Sequence, residues 1–491
     1  MLNMVGLKGL AAAVAAALCV IACGNGQSSA QPSQTAGAPV TLKVQDYSVE
    51  QTDFHKQVAA EYHRLNPSVT IEWTSIAQAQ YEQTLPLAFS SKQAPDIFYW
   101  TTGGPSAMNN LLASGWIQPW TSDAAAAADW QKRWSSGSFL NGITLKSGKV
   151  YGFPWQDTHY WGPGYMYMNK SVFQQAGLDV NKPPATWSQL SDACKEIKAK
   201  TRAYCIAAPM KGVDFQRLWF ALAAGRMSDL FFDYKNGKFS LDDPRLIDTF
   251  NYIMGLNKSG YLAPGVNDKD FSRQQFAAGQ AGIYMDGPWM VSVWGQLGFH
   301  SDGYAVAAHP VPDDTPRGAL SQRYSQYAYW LSSQSTHQAA AFRFIQWVTN
   351  PTGFFVQNFL KNSFATLAFA DNKKYLTDPA WKAVFRIGDS KGFRVVYPEP
   401  LLKCPGLADS KAYTMASTTR PNGEYEVMVQ DLVNNRDVTA DARALVNMRQ
   451  TIFETQLQKE QASGLKVSKD CYTFSDWTYD QSYNPANYPK S

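Results

Sequence analysis

Trp155, Asp157, Tyr160 and Trp161 set three rings within seven residues of one another beside a carboxylate. Asp286 stands three residues before Trp289, with Gly287-Pro288 between them marking a turn, so an acceptor and a flat apolar wall share that turn. Asp46 and Tyr47 form a further such pair behind Leu42-Lys43-Val44, and Trp100 closes the run Ile97-Phe98-Tyr99. Rings supply apolar faces and carboxylates supply fixed hydrogen-bond acceptors. That combination suits an uncharged guest with C–H faces and hydroxyl edges. The same residues also have plainer readings: the 155–161 cluster can pack a hinge between lobes, Asp46 can cap a loop, and Trp219 within Leu218-Trp219-Phe220 reads as core. An anionic guest would need guanidinium partners, for which Arg323 and Arg394 stand in reserve.

Catalysis leaves little trace. The chain has no G-x-S-x-G, H-E-x-x-H, phosphate-loop or EF-hand pattern. Its six histidines, at positions 55, 63, 159, 300, 309 and 337, are dispersed. Asp268 and Asp270 read as a solvated loop rather than a metal pair, so neither metal nor cofactor is expected. Glycoside cleavage needs only two carboxylates from anywhere in the chain. Asp157 and Asp286 would be its candidates, which keeps a secreted glycan-cleaving enzyme as an alternative.

The elements that must position these groups belong to a globular chain. With 491 residues, 45% hydrophobic and 17% charged, it can bury two or three cores. The 44 Lys+Arg against 40 Asp+Glu leave a formal +4, too dilute for a nucleic-acid partner. Met1 to Lys8 followed by the uncharged Gly9–Ala22 has the layout of a secretory signal, and 14 apolar residues are too few to span a bilayer. Gly24 to Pro39 carries no charge and no ring and reads as a flexible tether. Outside the leader and Cys23, four cysteines remain, an even number suited to an oxidising compartment. Of three possible pairings, Cys194 with Cys205 and Cys404 with Cys471 is expected, because the first two are close in sequence and the last two share the C-terminal segment.

From Thr41 the pattern alternates strand and helix. Phe54, Val58, Tyr62 and Leu65 recur at helical spacing, Val69, Ile71 and Trp73 at strand spacing, Tyr81, Leu85 and Ala88 again as helix, and Asp96 to Trp100 as strand. This βαβαβ run predicts an α/β sheet with its crevice at the carboxyl ends of the strands. Thr186-Trp187-Ser188-Gln189 predicts a capping box, and Asp243-Pro244 a helix start. Further helices are predicted around 340–348 and 442–453. No low-complexity linker separates two domains, so the chain is expected to cross between lobes several times.

Several segments resemble one family in the family's order. They are Ala94-Pro95-Asp96-Ile97-Phe98-Tyr99-Trp100, Gly115-Trp116-Ile117-Gln118-Pro119, Tyr151-Gly152-Phe153-Pro154 leading to Tyr167-Met168-Asn169-Lys170, and Phe276 to Trp289. Together with Val20-Ile21-Ala22-Cys23, which resembles a bacterial lipobox, they are similar to the extracellular solute-binding proteins of ABC importers, in the sugar-binding branch that includes maltose-binding protein. The resemblance implies an α/β, two-lobed periplasmic-binding-protein-like fold of type II with hinge crossings. The expected division is 1–22 signal peptide, 23–40 lipidated Cys23 and tether, 41–158 plus 327–363 as the N-terminal lobe, and 159–326 plus 364–491 as the C-terminal lobe. Asn362-Ser363-Phe364-Ala365 departs from the pattern at the third crossing, where Gly and Pro often stand.

It also implies ring stacking by Trp100 and Trp289, and ligand contacts from Asp46, Tyr47, Trp155, Asp157, Tyr160, Trp161, Asp286, Tyr324 and Tyr327. The implied protein is a monomeric receptor, not an enzyme, lipid-anchored at the outer face of the bacterial cytoplasmic membrane, at the cell surface or in a periplasm. It would pass a neutral sugar or oligosaccharide to ABC permease subunits with a cytoplasmic ATPase. A surface sensor or adhesin on the same fold is a further alternative.

Overall fold

The computed structural model describes residues 38–101, 107–223, 231–313, 320–322, 328–417, 423–479, 481–484 and 487–488. The expected signal, Cys23 and the tether up to residue 37 lie outside the described residues, as do Arg323, Tyr324 and Tyr327. Nine strands build two principal sheets: β1 (Val40–Asp46), β2 (Val69–Ser75), β3 (Ile97–Trp100), β4 (Ile117–Gln118), β5 (Tyr165–Asn169), β6 (Tyr204–Ile206), β7 (Ala281–Asp286), β8 (Tyr304–Ala308) and β9 (Ala328–Ser332). β1 opens at Val40, the last residue of the expected tether.

The first sheet has the order β2-β1-β3-β9-β4. β1 runs parallel to both β2 and β3, pairing Leu42 with Ile71 and Val44 with Trp73. Parallel neighbours require crossovers, here α1 (Thr52–Leu65) and α2 (Gln78–Ser90). α1 buries Phe54, Val58 and Tyr62 as the spacing predicts, and also His55; Leu65, at its C-terminal end, is 48% exposed instead. β9 returns antiparallel to β3, pairing Leu331 with Ile97. That one strand brings a distant part of the chain back into the first sheet.

The second sheet has the order β8-β5-β7-β6. Every residue of β5 and β7 is buried, as strands covered on both faces require. α3 (Trp187–Lys200) is tied to β6 by the Cys194–Cys205 disulfide. At its start Thr186 Oγ1 accepts from Gln189 N–H, but Gln189 reaches back to Ala185 N–H rather than to Thr186. The predicted box therefore closes one residue early. α4 (Gln216–Ala223), α5 (Pro244–Lys258), capped by Asp243, α6 (Lys269–Ala277) and α7 (Met290–Gln296) belong to the same half of the chain. α8 (Gln338–Val348) and the 24-residue α9 (Thr439–Ala462) match the two later predicted helices. The Cys404–Cys471 disulfide, also as expected, pins the C-terminal segment, where Leu407, Tyr413, Phe453 and Tyr472 form a core of their own.

The high aromatic content is mostly core. Trp120, Trp130, Trp219, Trp294, Trp330 and Trp381 are all under 2% exposed. Six of the 16 tryptophans are thereby removed as ligand walls.

Candidate ligand-binding site

β7 ends at Asp286, and the next three residues turn the chain into α7. Trp289 sits at that turn, and its ring folds back over Gly287. A Cβ on Gly287 would lie 2.2 Å from the Trp289 ring, so only glycine permits the close approach. Gly287 is held on both sides: its N–H donates to Asp286 Oδ1 (2.9 Å), and its carbonyl accepts from the Tyr167 hydroxyl (2.8 Å). The Trp161 ring meets Trp289 with centroids 5.2 Å apart and planes at 57°. Both rings are half-buried, so this pair from distant segments keeps an open face.

Asp286, expected to accept hydroxyls, has no exposed surface. Its Oδ2 takes hydrogen bonds from Arg217 Nε (3.2 Å), Arg273 Nη2 (3.0 Å) and the Tyr284 hydroxyl (3.1 Å). Burial pushes its pKa up, but the two guanidiniums and the Gly287 N–H pull harder, and it lies below the ordinary carboxylate value. It braces the Trp289 turn and stays ionised. Asp270 in turn pairs with Arg273 at 3.1 Å, and Asp268 caps α6 through Phe271 N–H. Among the described residues no group of three or more His, Cys, Asp or Glu could hold a metal.

In the first sheet, Trp100 ends β3, half-buried, with the rings of Trp116 and Tyr81 at 6.0 and 6.3 Å. Its carbonyl accepts from Trp330 Nε1. Tyr47, also half-buried, lies edge-on to Tyr81 and Tyr99 and hydrogen-bonds Thr101 through its hydroxyl (3.2 Å). Asp46 mirrors Asp286: wholly buried, it accepts from Trp73 Nε1 (3.0 Å), the Tyr329 hydroxyl (2.9 Å) and Ser48 N–H (3.1 Å). β1 and β7 thus end on a buried carboxylate and β3 on a half-exposed ring. The carboxylates at the two strand ends are wholly buried and held by protein donors.

The stretch 155–161 divides. Trp155 is core, ringed by Tyr329, Phe355 and Phe369 at 5.0 to 5.7 Å. Tyr160 is buried against Phe385 and donates to Asp389 Oδ1 (2.9 Å), which Lys373 also holds (2.8 Å). Asp157 is half-buried and accepts from His159 N–H and, at 3.3 Å, from Asn372 Nδ2; burial raises its pKa. Only Trp161 of the four joins Trp289. Arg394 lies beside this place: its guanidinium donates to the carbonyls of Gly162 (3.1 Å) and Pro163 (3.2 Å) and covers the Phe393 ring. Arg217, Arg273 and Lys269 escaped sequence reasoning altogether. Their nearest sequence signal is the i, i+3 spacing of Asp214 with Arg217 and of Asp270 with Arg273. A small apolar pocket lined by Phe231, Phe239, Leu241 and Leu445 contains none of the predicted site residues.

The sequence model of the family described as "Bacterial extracellular solute-binding protein" matches residues 48–353. The chain belongs to this family. The sn-glycerol-3-phosphate-binding periplasmic protein UgpB of Agrobacterium fabrum is 26% identical over 228 residues, 43% of this chain and 48% of that one. The arabinooligosaccharide-binding protein of Halalkalibacterium halodurans is 26% identical over 209 residues, 38% and 45% of the two chains. The chain spans about half the length of the curated relatives it matches. Among solved structures, the GacH receptor of Streptomyces glaucescens superposes with a TM-score of 0.62 at 16% identity, covering 84% of this chain and 99% of that one. A solute-binding protein of Thermotoga lettingae bound to α-D-tagatose gives 0.63 at 17%, covering 85% and 100%. At these identities the likeness shows the fold: this solute-binding protein has the two-lobed, type II architecture. No described helix is long and apolar enough to cross a membrane.

Proposed function

We propose that this solute-binding protein is a receptor that closes its two lobes on a neutral sugar or oligosaccharide and hands it to an ABC permease, with no bond made or broken. The Trp161–Trp289 pair carries the reading: two half-exposed rings in contact, one of them on a turn that a buried ionic network fixes in place. Trp100 would face it from the other lobe, with Tyr47 beside it and Tyr324 and Tyr327 at the second crossing. Asp157 remains a contact candidate. Asp46, Trp155, Tyr160 and Asp286 serve the site from beneath. The lobes would comprise 41–158 with 327–363, and 159–326 with 364–491, consistent with β9 lying in the first sheet. Ligand stabilises the closed state by contacting both lobes better than one. Cys23 would carry the lipid that tethers a monomeric receptor outside the cytoplasmic membrane. Against hydrolysis, Asp286, one of the two candidate carboxylates, is wholly buried and held by Arg217, Arg273 and Tyr284, out of reach of a glycosidic bond.

Saturable quenching of tryptophan fluorescence by one of a panel of mono- and oligosaccharides, with no change in the sugar, is the expected result; product formation would contradict it. A phosphorylated polyol is the second reading. Arg394 favours it, since no carboxylate pairs with its guanidinium among the described residues and its buried Nε has no partner. Quenching by glycerol-3-phosphate and by no neutral sugar would select that reading.

A further inference from the structure

A chain of hydrogen bonds leads from the Trp289 turn out of its own lobe. Gly287 N–H donates to Asp286 Oδ1, Arg217 Nε donates to Asp286 Oδ2, and Arg217 Nη1 donates to Asp214 Oδ1 (2.9 Å). Asp214 Oδ2 accepts from the backbone N–H of Lys269 (3.0 Å) at the start of α6. Lys269 Nζ then donates to Gln78 Oε1 (3.0 Å), at the start of α2 on the first sheet. Gln78 Nε2 is itself fixed by Glu82 (2.9 Å). Beside this bridge the turn Val49–Gln51, from the first lobe, lies against α7.

We propose that Lys269 and Gln78 form a latch across the lobes, coupled through Asp214, Arg217 and Asp286 to the turn that carries Trp289. The bridge joins an ammonium to a neutral amide, with two further cations, Arg217 and Arg273, on the same side. A partner without charge makes the bond weaker than an ion pair and easier to break, as a lobe contact that must open again requires. Burial and those two guanidiniums lower the Lys269 pKa against the opposing pull of Asp214 and Asp270. The latch sets how far the lobes stand closed and reports the position of the Trp289 turn to the other lobe. The inference rests on the reading of that turn as the ligand contact, and its test does not need a ligand.

Hydrogen exchange of the full chain, read by mass spectrometry, tests it with Gln78→Leu, Lys269→Met, the double variant and Lys269→Arg. Gln78→Leu should speed exchange about fivefold in residues 269–273 and, through the relay, in 287–292, with the global melting temperature unchanged. Lys269→Met should do the same at 78–82 and 287–292, the double variant should add nothing, and Lys269→Arg should restore wild-type rates. Wild-type exchange at 287–292 in Gln78→Leu, or additive effects in the double variant, would overturn the latch. Gln78→Leu alone decides the matter should Lys269→Met fail to fold. A Trp289→Ala variant that binds ligand normally would instead count against the receptor site.

Discussion

At Gly287 the absence of a side chain lets the Trp289 ring occupy its place, and one methyl group should turn that ring away. Gly287→Ala is therefore expected to weaken binding of any saccharide that quenches the wild type by about tenfold, the effect of losing a good ring contact. Fluorescence titration checks this. Asp286 is a different case, because it is wholly buried among the donors of Arg217, Arg273 and Tyr284. Asp286→Asn leaves two buried guanidiniums short of a counter-charge and should cost about 3 to 5 kcal/mol of stability near neutral pH, read by denaturant titration. Its depressed pKa means that the stabilisation is present above the ordinary carboxylate value and is lost as pH falls below it, so the variant should differ least from wild type in acid. His309 gives the opposite experiment. It is buried against Phe393 with neither ring nitrogen hydrogen-bonded among the described residues, and burial, aided by Arg394, pushes its pKa down to about 3. The unfolded chain takes up a proton below its ordinary value near 6.5, so this site's contribution is full above that value and falls away toward 3. His309→Leu should thus gain about 2 kcal/mol over wild type between neutral pH and about pH 5, measured as the change in unfolding free energy.

Elements explain what the sequence could and could not disclose. The parallel run β1-α1-β2-α2-β3 was legible because each segment carries one apolar face at its own period, as Val69, Ile71 and Trp73 do. Both disulfides were legible too, since Cys194 and Cys205 are close in sequence and Cys404 and Cys471 share the C-terminal segment. The protein partners of the strand-end carboxylates were not legible, for a physical reason. Asp46 and Asp286 stand where ligand contacts belong, but their donors come from far along the chain, Tyr329 in one case and Arg217 in the other, and no local pattern announces such partners. Trp155 and Trp161 are alike in sequence context, and only tertiary packing sends one into the core and the other beside Trp289. The Cys404–Cys471 bond closes a long loop around a core of its own. Replacing both cysteines with serine should lower stability by about 2 to 5 kcal/mol and raise exchange in the 404–472 segment before the two principal sheets respond.

In the whole molecule, two sheets end on aromatic walls and meet through Lys269 and Gln78 and through α7 against Val49–Gln51. In the proposed receptor, closure adds affinity only for a ligand that touches both halves. Trp100 ends a strand of the first sheet and Trp289 sits on the turn that follows a strand of the second, so truncating either should weaken binding by about 1 to 4 kcal/mol. The most direct measurement is calorimetric titration of wild type, Trp100→Ala and Trp289→Ala with the neutral oligosaccharide that most raises the melting temperature. The account predicts saturable binding to wild type and marked weakening in both variants. Unchanged affinity in both variants, or no binding of any neutral saccharide to wild type, would contradict it.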